Sequence, residues 1–226
     1  TVNGHTRIRS EPPLVVPLEE IFADLESEVI FAELQRLVRG YRRTLAADRR
    51  AILDQYQLVH VARKVVGVGS VGTRCLIMLL EGRDDEDPLF LQVKEAGPSV
   101  LERHLAPTPY DNQGQRVVEG QRLMQATSDI FLGWSRDRVP PDYYWRQLRD
   151  WKVSIDLEVG EPTDLERYVR LCGATLARAH ARSGDSAAIA AYIGSSETYG
   201  RAMTSFAAKY AAQNRTDYQA FVAAGS

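Results

Sequence analysis

A glycine-rich turn between two apolar runs constrains the fold of this chain more than any other feature. Residues 65–80 read VVGVGSVGTRCLIMLL, in which Gly67, Gly69 and Gly72 have the spacing G-x-G-x-x-G. In a dinucleotide-binding fold the last glycine opens a helix. Here six consecutive apolar residues follow from Cys75, as is typical of a short buried strand. The run therefore predicts a strand, a glycine turn and a second strand.

A lysine and a glutamate follow this turn in the order found in the small lobe of protein kinases. Residues 88–96 (PLFLQVKEA) predict a third strand that contains Lys94. A lysine in an apolar strand is costly to bury unless it meets an anion or a carboxylate. Residues 114–125 predict a helix that carries Glu119. We therefore expect the glycines and Ser70 to bring backbone amides to phosphates, Lys94 to neutralise the phosphates, and Glu119 to hold Lys94.

Each of these features also has a simpler structural interpretation. The glycines alone fit an ordinary hairpin, and Lys94 can extend from an edge strand to solvent. Glu119 can pair with an arginine three positions away in its own helix. The chain also departs from the kinase pattern, because Arg74 stands where a valine is expected and Gln92 where a small residue lies near the base. An adenine pocket of ordinary shape is therefore not predicted.

Composition restricts the class of protein. The 226 residues are enough for one domain or two small lobes, and 44% hydrophobic and 26% charged residues are typical of globular proteins. A net charge of −2 and a pI near 6.1 argue against a nucleic-acid-binding surface that covers the whole chain. No apolar run approaches the roughly 20 residues that span a bilayer, and no secretory signal is recognised. We therefore expect a cytoplasmic protein that binds neither nucleic acid nor membrane.

The two cysteines indicate the redox environment. Cys75 and Cys172 each lie in an apolar stretch and are far apart in the sequence. They are predicted to be buried thiols in a reducing compartment, not a disulfide.

The periodicity of the chain predicts an α+β fold in three regions. Residues 1–57 predict an extended, proline-containing segment and helices. Residues 58–152 predict a kinase-like antiparallel sheet with one packed helix, and its last two strands are predicted at 129–134 and 143–152. Residues 153–226 predict a helical region.

No catalytic group and no metal ligand can be identified in the sequence. Phosphoryl transfer requires an aspartate that orients the acceptor, and oxygen ligands for Mg²⁺. His180 and Asp185 are the nearest approach to such a block, but they are five positions apart and no suitably spaced asparagine follows. A capping role for Asp185 is favoured over a catalytic one.

Four blocks of sequence together resemble an uncharacterised bacterial family, domain of unknown function 2252. The blocks are residues 64–74, 90–96, 114–122 and 177–185, and the resemblance covers nearly the whole chain. Members of the family resemble the aminoglycoside-phosphotransferase and protein-kinase-like superfamily. The resemblance thus implies ATP and Mg²⁺ as cofactors and an unknown phosphoryl acceptor. Family members are longer at the N-terminus, where a Gly-Asp-x-His segment resembles a catalytic loop, so we expect this chain to be a C-terminal fragment whose partner is the upstream segment.

Three functional hypotheses remain open at this point. The first is a kinase-like module that binds a nucleoside triphosphate within a phosphotransferase. The second is a non-catalytic, pseudokinase-like binding or scaffold module, which the departures at Arg74 and Gln92 favour. The third is an NAD-type dinucleotide-binding protein, which requires a helix directly after Gly72. The secondary structure of residues 73–81 distinguishes the third hypothesis from the others.

Overall fold

A computed structural model of the chain gives an α+β fold that contains one antiparallel sheet. It describes residues 6–22, 27–65, 67, 72–84, 86–136, 141–148 and 160–225. The strands are β1 (Val15–Pro17), β2 (Gln57–Lys64), β3 (Cys75–Glu81), β4 (Pro88–Ala96), β5 (Gly133–Arg136) and β6 (Asp142–Gln147). Their spatial order is β1-β2-β3-β4-β6-β5, and every neighbouring pair is antiparallel.

Seven α-helices lie in the described part of the chain. They are α1 (Leu18–Ile21), α2 (Ser27–Arg42), α3 (Ala47–Leu53), α4 (Gln113–Met124), α5 (Pro162–Ser183), α6 (Ser186–Ile193) and α7 (Thr198–Ala224). The chain divides into two compact units, Thr1–Arg170 and Leu171–Ser226.

The predicted β-strand at residues 129–134 is wrong in its first half. Asp129 accepts hydrogen bonds from the backbone N–H groups of Phe131 (2.8 Å) and Gln147 (2.7 Å) through its two carboxylate oxygens. These bonds fix a turn before the strand, so β5 begins only at Gly133.

The hydrophobic core of the first unit lies between one face of the sheet and α2. Leu34, Leu37 and Tyr41 recur at helical spacing on α2 and are buried there. The Tyr41 ring stacks on Trp145 of β6 with centroids 4.4 Å apart, and its hydroxyl donates to the Phe131 carbonyl at 2.7 Å. Burial, followed by the charge of Asp129, raises the pKa of Tyr41 well above its ordinary value. Helix α2 therefore covers this face of the sheet.

Helix α4 is anchored to β6 by its first residues. The Asn112 side chain caps the helix by accepting from the Gln115 backbone N–H at 2.9 Å. Asp142 of β6 accepts from the Gln113 backbone N–H at 2.7 Å and from the Asn112 amide at 3.0 Å. A Cβ added at Gly114 would lie 2.1 Å from the Tyr143 carbonyl oxygen, so only glycine permits this approach.

The C-terminal helices differ from the sheet in having no buried residue in their described parts. Asp185 caps α6 by accepting from the Ala188 backbone N–H at 3.0 Å, which confirms its predicted capping role. Cys75 is buried as predicted, but the prediction that Cys172 is buried was wrong. Its apolar stretch forms one stripe of α5, and that stripe is exposed. Among the described helices none has the length and hydropathy needed to cross a membrane.

Candidate functional site

The sheet has a second face that points away from the core packed against α2. Residues paired directly across antiparallel strands have their side chains on the same face. Val93 pairs with Trp145 and belongs to the core face. The next residue along β4 is Lys94, whose side chain therefore lies on the opposite face, which we call the second face.

The strand register arranges the second face in rows that run across the sheet. Cys75, Lys94, Tyr144 and Trp134 form one row, each paired with the next. Ala62, Ile77, Gln92 and Arg146 form the neighbouring row. Lys64 lies two residues beyond Ala62 in β2 and so extends the first row beside Cys75. The row that contains Lys64, Cys75 and Lys94 is thus the one closest to the glycine turn.

The glycine turn joins the ends of β2 and β3 as predicted. Gly67 (φ 35°) and Gly72 (φ 85°) both adopt the left-handed backbone conformation that favours glycine. Gly69 and Ser70 lie outside the described residues, so their predicted roles stay predictions. Cys75–Glu81 forms a strand. The helix that a dinucleotide fingerprint requires after its glycines is therefore replaced by a strand.

Cys75 is buried on the second face beside Lys94, with which it pairs across β3 and β4. Its thiol is 2% exposed, and burial is the largest influence on its pKa, which is raised. The charges of Lys94, Lys64 and Arg146 act in the opposite direction, as does a hydrogen bond from Gln92. Three cations therefore lie close enough to influence one buried group on the second face.

Gln92 and Arg146 are bonded to each other on this face. Gln92 is 3% exposed, and its Oε1 accepts from Arg146 Nε at 3.0 Å and from Arg146 Nη2 at 2.9 Å. The Gln92 amide nitrogen also donates to the Cys75 sulfur at 3.6 Å. The sequence marked Gln92 as a departure from the kinase pattern but did not identify Arg146. The signal that could have found Arg146 is the polar alternation along β6.

Helix α4, which carries Glu119, packs against the second face of the sheet. Glu119 accepts from Arg122 at 3.0 Å, which is the pairing within the helix that the sequence also allowed. Arg122 donates to the Leu132 carbonyl at 2.8 Å, and its guanidinium carbon lies 5.8 Å from the Trp134 ring centroid. Since Trp134 belongs to the same row as Lys94, α4 and Lys94 share one face. The predicted contact between Lys94 and Glu119 itself stays a prediction.

Metal ligands and catalytic groups such as His180 would also define a functional site. Within the described ranges no group of three or more His, Cys, Asp or Glu side chains is arranged to hold a metal ion. His180 accepts from the Gly184 N–H through its backbone carbonyl at the end of α5. Within the described residues, the second face is therefore the place where Lys64, Lys94 and Arg146 gather beside the glycine turn.

The fold and site define an α+β protein with a cationic sheet face next to a glycine turn. Comparison with protein families adds an assignment: residues 1–224 match the family described as "Uncharacterized protein conserved in bacteria (DUF2252)". This chain belongs to that family, which confirms the family resemblance found in the sequence. No curated protein and no solved structure matches the chain.

Proposed function

We propose that the second face and the glycine turn form a kinase-like lobe that binds ATP together with Mg²⁺. The observation that carries this proposal is the row of Lys64, Cys75 and Lys94, which ends at the glycine turn. Backbone amides of a glycine turn and lysine side chains are the groups that proteins use to hold phosphates. Here the glycine turn joins β2 to β3, and Lys64 of β2 and Lys94 of β4 lie on either side of Cys75 at that end of the sheet.

Charge supports the same proposal. Lys64, Lys94 and Arg146 all lie on the second face, and the charge of each acts on the pKa of Cys75. A triphosphate suits such a face because its oxygens accept charge-assisted hydrogen bonds from lysine and arginine side chains. We expect Glu119 of α4, the helix that packs on the same face, to pair with Lys94 when the nucleotide is bound.

The proposal extends to transfer of the terminal phosphoryl group to an unidentified acceptor, with the catalytic aspartate and metal ligands contributed by an upstream segment of the same protein. This extension rests on the resemblance to phosphotransferases. A nucleotide-binding module that performs no transfer is the second candidate. It is favoured by Gln92, a buried amide bonded to Cys75 and Arg146 where the kinase pattern has a small residue.

A thermal-unfolding titration with ATP and Mg²⁺ tests the binding step. A ligand at a hundred times its Kd stabilises the folded state by about 2.7 kcal/mol. We expect this stabilisation in the parent chain and its loss in Lys94→Met. Lys209→Met is the matched control, since Lys209 is exposed on α7. The proposal is contradicted if ATP and Mg²⁺ stabilise the parent and Lys94→Met equally, or if they stabilise neither chain.

A further inference from the structure

Arg146 has features of a ligand-binding residue that the proposed nucleotide contacts do not include. A guanidinium carries five N–H donors, and among the described residues two of those of Arg146 bond to a protein group, both to Gln92 Oε1. Gln92 is neutral, and within the described ranges Arg146 forms no ion pair with a carboxylate. The charge of Arg146 is therefore oriented by Gln92 but not neutralised by it.

The place of Arg146 in the strand register relates it to Lys94. Lys94 pairs with Tyr144, and Arg146 is the next residue of β6 on the same face. Such diagonal neighbours on a sheet lie about 7 to 8 Å apart at their backbones, within reach of long side chains. Both cations also influence Cys75, which lies beside Lys94 in the register. A chain of two or three phosphates can contact both side chains at once.

We propose that Arg146, fixed by Gln92, is a second phosphate-binding residue, so that the site recognises the polyphosphate chain of its ligand across Lys94 and Arg146. This inference rests on the proposed function and adds a specificity to it. Affinity follows the number of phosphates, with ATP and ADP bound more tightly than AMP. Gln92 is a positioning residue, because it touches Arg146 and not the ligand.

Substitutions of Arg146 and Gln92 should weaken ATP binding to different extents. Arg146→Gln removes the charge and should weaken ATP binding by about tenfold or more, while AMP binding changes little. Arg146→Lys keeps the charge but loses the two-bond contact with Gln92, and should give an intermediate loss. Gln92→Leu keeps the arginine but removes the group that orients it, and should weaken ATP binding several-fold. Arg63→Gln is the matched control, since Arg63 is exposed on the same sheet and its partner Leu76 belongs to the core face.

Isothermal titration of the full chain with AMP, ADP, ATP and inorganic tripolyphosphate tests this inference, with the unfolding temperature of each variant as the check on folding. The inference is supported if tripolyphosphate binds to the parent and to Arg63→Gln, and binds about tenfold or more weakly to Arg146→Gln. If tripolyphosphate shows this pattern but ATP does not bind, the nucleotide proposal fails while the role of Arg146 stands. If ATP binding depends on Lys94 and is unchanged in folded Arg146→Gln and Arg146→Lys, the role of Arg146 is overturned and the nucleotide proposal stands.

Discussion

The sheet of the first unit and the helices of the second unit bury their apolar residues to opposite degrees. Trp145 of β6 is fully buried, whereas Phe206 and Tyr210 of α7 are 61% and 58% exposed, although all three rings stack on a neighbouring ring. On α7 the spacing of Tyr199, Met203, Phe206 and Tyr210 is that of one helical stripe. Helical periodicity therefore predicted the helix correctly, but the same pattern does not ensure that the stripe is covered.

The two regions also differ in how their side chains are held. In the sheet, strand register fixes which side chains are neighbours on the second face. The charged and polar groups there therefore have defined partners. In α5–α7 the side chains face solvent, and their helices are held by backbone bonds and caps such as Asp185. Among the residues that the structure describes, a site assembled from fixed neighbours is therefore found in the first unit and not in α5–α7.

The largest expected effect on stability comes from truncating one aromatic ring in each region. Trp145→Ala should lower the free energy of unfolding by about 3 to 5 kcal/mol, because it leaves a cavity beside Tyr41 and removes the 2.7 Å bond to Ser135. Phe206→Ala should change it by less than about 1 kcal/mol. Urea unfolding of both variants measures the two effects. Equal losses would contradict the difference in burial between the regions.

A smaller effect is expected where α4 approaches the sheet. Gly114→Ala should cost about 1 to 3 kcal/mol, since the added Cβ would meet the Tyr143 carbonyl at 2.1 Å and force α4 to shift. Gly120→Ala is the control in the same helix, with no atom within 4 Å of its Cβ, and should be neutral or stabilising by up to about 1 kcal/mol. Urea denaturation of the pair measures the difference. A Gly114→Ala variant as stable as Gly120→Ala would mean that the close contact does not position α4.

The smallest effect concerns one ion pair in each region. Burial acts most strongly on Glu19 and raises its pKa, but its bonds to His60 and its own backbone, with the charges of His60 and Arg7, lower the pKa overall. Its contribution to stability is therefore present at neutral pH and is lost as the pH falls below the ordinary carboxyl value of about 4.3. Because the Glu19 side chain is 41% exposed, Glu19→Gln should cost no more than about 1 kcal/mol at pH 7.

The control for this pair is Glu197, which contacts Arg201 at 3.4 Å with an 87% exposed side chain. Glu197→Gln should be close to neutral at every pH. Chemical unfolding between about pH 3 and 7 compares the two variants with the parent. We expect the difference in the free energy of unfolding between the parent and Glu19→Gln to shrink as the pH falls. A difference that grows instead would contradict this account of the ion pair.

Local sequence patterns predicted β2, β3, β4 and α4 because each has a strong period and a clear boundary. They failed at Asp129, where two side-chain hydrogen bonds replace strand pairing with a turn. They also did not identify the contact of Arg146 with Gln92, a cross-strand neighbour 54 positions away in sequence. The order of the strands in the sheet determines which residues are cross-strand neighbours. The sequence of a single strand does not specify that order.

The most direct test of the proposed site is amide hydrogen exchange of the chain with and without ATP and Mg²⁺. Bound ligand should slow exchange in peptides that contain the ends of β2, β3 and β4 next to the glycine turn, because the ligand stabilises the state in which they are ordered. Exchange in α7 should be unchanged. Protection confined to α7, or no protection in any peptide at saturating ATP, would contradict a nucleotide site on the second face.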